Sequence, residues 1–142
     1  MKSLGTDLTL YLKYADEVEK DEPIMALYCH LYFAEHYVQS KKKQGITTLT
    51  PDEIQLIDGT FNKIEKMKKE NRLTKEQNQE RVKQYCSNMY QKIMELARRP
   101  ETNKIQSIEN LQTMINFISI LATFGPLTAE WVNKRKCIGD CR

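Results

Sequence analysis

The stretch Asp21-Glu-Pro-Ile-Met-Ala-Leu-Tyr-Cys-His-Leu-Tyr-Phe-Ala-Glu-His-Tyr-Val38 constrains the fold more than any other part of the chain. Asp21 and Glu22 place negative charge where a helix begins, and Pro23 suits the first helical position because its missing N–H would be unpaired there. Ile24, Leu27, Leu31, Ala34 and Val38 recur at spacings of three and four, a helical stripe. Met25, Tyr28, Tyr32, Phe33 and Tyr37 fall outside that stripe, so the helix is apolar around much of its circumference. Such a helix needs neighbours on several sides, as the central member of a bundle does.

The neighbours are legible on either side. Leu8, Tyr11 or Leu12, Ala15 and Val18 form a first amphipathic helix, with Thr6 or Asp7 as its N-cap, running to about Lys20. The short link through Asp21-Glu22-Pro23 makes the first two helices an antiparallel hairpin. Gly45 closes the second helix after its lysine-rich end. Thr50-Pro-Asp-Glu53 then reads as a capping box with proline at the first position, and Ile54, Ile57, Phe61, Ile64 and Met67 carry a third helix. These three helices make one unit over residues 1–73.

A second unit follows over residues 74–142. Thr74 and Gln77 repeat the capping signal, and Val82, Cys86, Met89, Ile93 and Leu96 step by four and three as an apolar seam. Residues 74–98 read as one long helix or as a short helix and a longer one, and Pro100 breaks the pattern. Residues 105–124 are the densest apolar segment, but Gln, Asn and Ser scattered through it mark a buried helix and not a membrane span. Phe124-Gly-Pro-Leu-Thr128 stops that helix and caps a last one holding Trp131 and Val132. The expected fold is all-α: two consecutive antiparallel three-helix bundles, six or seven helices in total.

Composition excludes several alternatives. Five glycines and four prolines in 142 residues are too few for the turn-rich sequence of an all-β fold. The N-terminus lacks the apolar core of a signal peptide, which points to the cytosol. The net charge of +3 is unevenly spread: residues 1–40 carry three Lys against seven Asp/Glu, whereas residues 41–84 carry eleven Lys/Arg against seven Asp/Glu. Those lysines alternate with Glu65, Glu70, Glu76 and Glu80, the pattern of a solvated helix face and not of a nucleic-acid surface.

No catalytic pattern is present. There is no GxxxxGK[ST], GxSxG or HExxH, and the paired acids Asp21-Glu22 and Asp52-Glu53 sit at helix starts. His30 and His36 lie six apart, on different helix faces, and read as surface or partly packed residues. Cys29, Cys86, Cys137 and Cys141 show no CxxC pair and no zinc spacing, so neither a metal nor another cofactor is expected. Cys29 and Cys86 fall inside apolar patterns as small hydrophobes. What remains is a binding surface: Tyr28, Tyr32, Tyr37, Tyr85 and Tyr90 exceed what a small core needs, and their hydroxyls want water or a partner.

Two segments carry a family resemblance. Asp21-Glu-Pro-Ile-Met-Ala-Leu-Tyr-Cys-His-Leu-Tyr32 resembles the DPxxAYYCRLYA signature of the Vta-type (LYST-interacting protein) regulators of the ESCRT system. Glu109-Asn-Leu through Phe124-Gly-Pro-Leu-Thr-Ala-Glu-Trp-Val-Asn-Lys-Arg-Lys136 resembles that family's second signature, a long apolar helix followed by F-G-x-L-T-x-E-x-V-x-x-R-K-Y. Cys137 replaces the final tyrosine of that pattern, Trp131 stands at a usually polar position, and the link over residues 41–50 is longer than in several relatives. A shorter last helix is expected from the first of these departures.

The resemblance implies two MIT-like three-helix bundles and a non-catalytic adaptor that binds C-terminal tail helices of ESCRT-III subunits. It implies a link to the ESCRT-disassembling AAA ATPase through a separate C-terminal domain that this chain lacks. It also implies a cytoplasmic protein recruited to endosomal membranes, with this stretch monomeric. Tail helices in such bundles lie between the second and third helices. Carried onto this chain, the first groove is bordered by Tyr32 and Glu35 on the second helix and by Ile57, Phe61, Glu65 and Lys68 on the third. A second site is expected around Tyr85, Met89, Tyr90, Met114, Phe117 and Trp131. A helical self-association scaffold using the Val82–Leu96 seam is the alternative, and a basic RNA-binding module is a weaker one.

Overall fold

The computed structural model describes residues 8–72, 74–99 and 104–141. Its regular elements are all helical: α1 (Leu10–Val18), α2 (Pro23–Lys43), α3 (Pro51–Glu70), α4 (Lys75–Arg98), α5 (Lys104–Leu121), a short 3₁₀ turn (Ala122–Phe124) and α6 (Ala129–Cys141). They divide into two compact units, Met1–Thr74 and Lys75–Arg142. Residues 74–98 are therefore not split into two helices. The expected α1 caps Thr6 and Asp7, and the break at Pro100, lie outside the described residues.

In the first unit α2 is central, with α1 and α3 both packed along it. Met25, Ala26, Cys29, Phe33 and Ala34 are fully buried, and Ile24 and Leu27 nearly so. Leu31 and Val38, two members of the sequence stripe, are only half-buried. The buried face thus centres beside the stripe. On a helix apolar nearly all round, the partners' positions and not the stripe decide which residues go deepest.

Local chemistry fixes the ends of these helices. The Val18 carbonyl accepts from the Asp21 and Glu22 N–H groups at 3.0 and 2.8 Å, closing α1. Glu22 is the N-cap of α2, its carboxylate accepting from the Ile24 N–H at 3.4 Å, with Pro23 at the first position. At α3 the capping box is complete: the Glu53 N–H donates to Thr50 Oγ1 at 3.1 Å, and the Thr50 N–H donates to Glu53 Oε1 at 2.9 Å. Thr50→Ala should destabilise the first unit by about 1 kcal/mol, read as a lower urea midpoint, because one orphan donor of the first turn loses its acceptor.

In the second unit α5 packs against α4 and α6. Val82, Cys86 and Ile93 of the seam are buried, Met89 is half-buried and Leu96 is exposed. The Cys86 thiol donates to the Phe117 carbonyl at 3.8 Å, and burial pushes its pKa up to about 12, so it is a packed hydrophobe and not a nucleophile. The α5 segment is not uniformly core. Its second half is buried through Leu111, Met114, Phe117, Ile118, Ile120 and Leu121, whereas Ile105 and Ile108 are 70% and 51% exposed. Thr128 starts α6 as expected, its hydroxyl accepting from the Trp131 N–H at 3.4 Å.

Candidate partner-binding groove

Side-chain contacts give the direction of the faces of α2 and α3. The Tyr32 ring lies 4.4 Å from Tyr11 of α1 and stacks on His36 at 3.9 Å, centroid to centroid. On another face, Tyr37 and Lys41 reach α3: the Tyr37 hydroxyl donates to Glu53 Oε2 at 2.7 Å, and Lys41 Nζ lies 2.6 Å from the same oxygen. On α3, Lys63 points back toward α1, its Nζ 3.9 Å from Asp16. At about 100° per residue, Leu31 and Val38 then lie beyond the α3-facing side of α2, away from α1. By the same reckoning Ile54, Ile57 and Phe61 lie on the matching flank of α3.

That geometry corrects the expected groove at one position. Tyr32 faces α1, not the α2–α3 seam, because its ring is captured by Tyr11 and His36. Leu31 and Val38 take its place as the α2 wall; spacing alone did not separate the two faces. Ile57 is buried and forms the floor, while Phe61 and Ile54 are 40% and 46% exposed. Glu35, Glu65 and Lys68 are exposed and make no ion pair among the described residues. The result is an apolar strip edged by charges of both signs.

The seam is held at one end by a cluster that sequence reasoning missed. It recognised Glu53 as a capping residue, but the same carboxylate also joins α2 to α3 through Tyr37 and Lys41, sixteen and twelve residues back. Lys41, then the Thr50 N–H, then Tyr37 stabilise its charged form and hold its pKa at about 2. A carboxyl so depressed stabilises the fold above its ordinary value near 4.5 and loses that contribution as pH falls from there toward 2. Glu53→Gln should remove the part of the acid transition that lies in this window, measured by circular dichroism against pH.

His30 also departs from expectation: it is buried, 4% exposed, with neither ring nitrogen hydrogen-bonded among the described residues. Burial first and Lys63 second lower its pKa, against a smaller pull from Asp16 and Glu19. The unfolded chain takes up this proton at higher pH than the folded one. Stability is therefore complete above about 6.5 and falls as pH drops below it, by at most about 1.4 kcal/mol per pH unit for one proton. Urea midpoints of the wild type should decline between pH 7 and pH 5, and His30→Leu should flatten that decline.

The residues expected to form a second site separate by depth. Met114, Phe117 and Trp131 are core, at 0%, 1% and 3% exposure. Tyr85, Met89 and Tyr90 are half-buried. Tyr85 meets Phe117 edge-on at 6.0 Å and Tyr90 meets Trp131 at 6.5 Å. Lys134 Nζ lies over both the Tyr90 and Trp131 rings, at 5.0 and 4.6 Å, and pairs with Glu130 at 3.0 Å. Only the three half-buried residues are reachable by a partner. Among the described residues no set of three His, Cys, Asp or Glu side chains converges to hold a metal, and no helix is long and apolar enough to cross a membrane.

Residues 7–139 match the protein-family model described as Vta1 like. The chain belongs to the Vta1-like family. The match runs from just before α1 almost to the end of α6, so it takes in both units and the whole α2–α3 seam. This family member is also similar to the Arabidopsis thaliana protein named as a homolog of mammalian LYST-interacting protein 5, at 28% identity over 126 residues. The alignment covers 89% of the chain but 28% of that relative, so the Vta1-like chain spans little more than a quarter of the relative's length.

Proposed function

We propose that this chain is a non-catalytic adaptor of the ESCRT machinery, made of two MIT-like bundles, whose first α2–α3 groove holds the C-terminal tail helix of an ESCRT-III subunit. Phe61 carries the reading: a large aromatic left 40% exposed on the same flank of α3 as the 46% exposed Ile54. A docked amphipathic helix would lay its apolar stripe on Phe61, Ile57, Leu31 and Val38, and its charged flanks against Glu35, Glu65 and Lys68. Micromolar affinity, about −8 kcal/mol, suits so narrow a strip, and avidity along a filament would supply the rest. The half-buried Tyr85, Met89 and Tyr90 would serve a different subunit. A link to the disassembling AAA ATPase and recruitment to endosomes through the filament complete this reading.

Fluorescence anisotropy of the chain against a panel of ESCRT-III tail peptides tests this reading. Micromolar binding of one or a few tails, lost in Phe61→Asp, supports it; no binding to any tail well above micromolar concentration removes it. A self-association scaffold is the second reading, favoured by exposed Leu96, Ile105 and Ile108 in the second unit. Light scattering separates the two, since the adaptor should be monomeric.

A further inference from the structure

The end of α2 builds a feature that the groove alone does not need. The Gly45 N–H donates to the Lys42 carbonyl at 3.0 Å and the Ile46 N–H donates to the Lys41 carbonyl at 2.9 Å. With Gly45 at φ 78°, this is a Schellman closure, and it turns the chain back over the last turn of the helix. The return encloses a half-open cavity of about 310 Å³ lined by Val38, Lys41, Lys42, Ile46, Thr47 and Leu49. Its walls are mainly aliphatic, and its size is at the lower end of the roughly 300–1,000 Å³ of ligand pockets. Val38 lines this cavity and also belongs to the α2 wall of the groove, so the two adjoin there.

The lip of the cavity is cationic. Lys41 is paired with the Glu53 carboxylate and lies over the Tyr37 ring. Lys42, on the lining, is exposed and has no ion pair among the described residues. The negative end of the α2 dipole opposes an anion here. Two of its last carbonyls, those of Lys41 and Lys42, are already taken by the Ile46 and Gly45 N–H groups. The Lys42 ammonium remains at the mouth of the cavity for an anion to pair with.

We infer that this cavity is the terminal subsite of the first groove and takes a large aliphatic side chain with a carboxylate beside it on the docked peptide. The inference rests on the groove reading for its place in a longer ligand, but its chemistry is local. The peptide end that reaches the α2–α3 loop is therefore acidic and aliphatic, which sets the direction in which the ligand lies.

The test uses the whole chain, isotopically labelled, and two probes: acetyl-Glu-Leu-Glu-amide and acetyl-Gln-Leu-Gln-amide. The acidic probe should shift the amide resonances of Lys42, Ile46, Thr47 and Leu49 at millimolar concentration. The neutral probe should shift them several-fold less, and Lys42→Glu, an exposed change that leaves the core intact, should remove the difference. Equal shifts from both probes, shifts confined to other residues, or none at all would overturn the subsite. So would a response to short-chain phosphatidylserine without one to the acidic peptide, which would make the occupant a lipid. A tail that binds the first groove should bind Lys42→Glu about tenfold more weakly. If no tail binds but the acidic probe still maps here, the groove reading fails and the subsite stands.

Discussion

Phe61→Asp is expected to weaken the tail helix bound at the first groove by about a hundredfold, in line with the roughly 2–4 kcal/mol carried by a central aromatic contact. The carboxylate would have to be desolvated under the apolar stripe of the ligand with nothing to pair it. Phe61 is 40% exposed in the free chain. The substitution should therefore leave the urea midpoint close to wild type, as exposed changes usually shift stability by no more than about 0.5 kcal/mol. Tyr32→Ala should behave in the opposite way. It removes the rings' contacts with Tyr11 and His36 and lowers stability, yet it should leave tail affinity within about twofold, because the residue faces α1. A loss of binding in Tyr32→Ala without a loss of stability would show that the groove lies on the other face of α2.

Phe33→Ala should cost the first unit about 3–5 kcal/mol. Its ring is fully buried on α2, with Tyr37 5.3 Å away, so truncation leaves a cavity in a close-packed core. The expected result has a further consequence, because the chain divides into two compact units and its single tryptophan, Trp131, is buried in the second. Tryptophan fluorescence reports the second unit, whereas far-ultraviolet circular dichroism reports both. In Phe33→Ala the dichroism should lose an early, low-denaturant component while the fluorescence transition keeps its wild-type midpoint. Fluorescence and dichroism shifting together by the same amount would mean that the two units unfold as one.

The helical architecture was legible because its signals are local. The capping box at Thr50 and Glu53, proline at the first positions of α2 and α3, and Gly45 after the last turn of α2 each satisfy backbone groups within a few residues. What escaped is tertiary. The direction of Tyr32 depends on where α1 sits, and a helix apolar on most of its surface gives no stripe sharp enough to decide it. Glu53 was readable as a cap but not as the acceptor of Tyr37 and Lys41, whose approach requires the α2–α3 pairing itself. His30 looked like an ordinary surface residue because its spacing from His36 says nothing about how deeply either lies. The apolar run of α5 promised a buried helix along its whole length, yet no helix covers Ile105 and Ile108 among the described residues.

The central claim is that the tail helix docks on the outer flank of the α2–α3 seam, and backbone amide chemical-shift mapping of the labelled chain, titrated with a tail that binds in the anisotropy panel, tests it most directly. Progressive shifts at Leu31, Val38, Ile54, Ile57 and Phe61, with Tyr11 and Tyr32 unmoved, are the predicted result. Shifts centred on the α1–α2 face, or confined to Tyr85, Met89 and Tyr90 of the second unit, would contradict it.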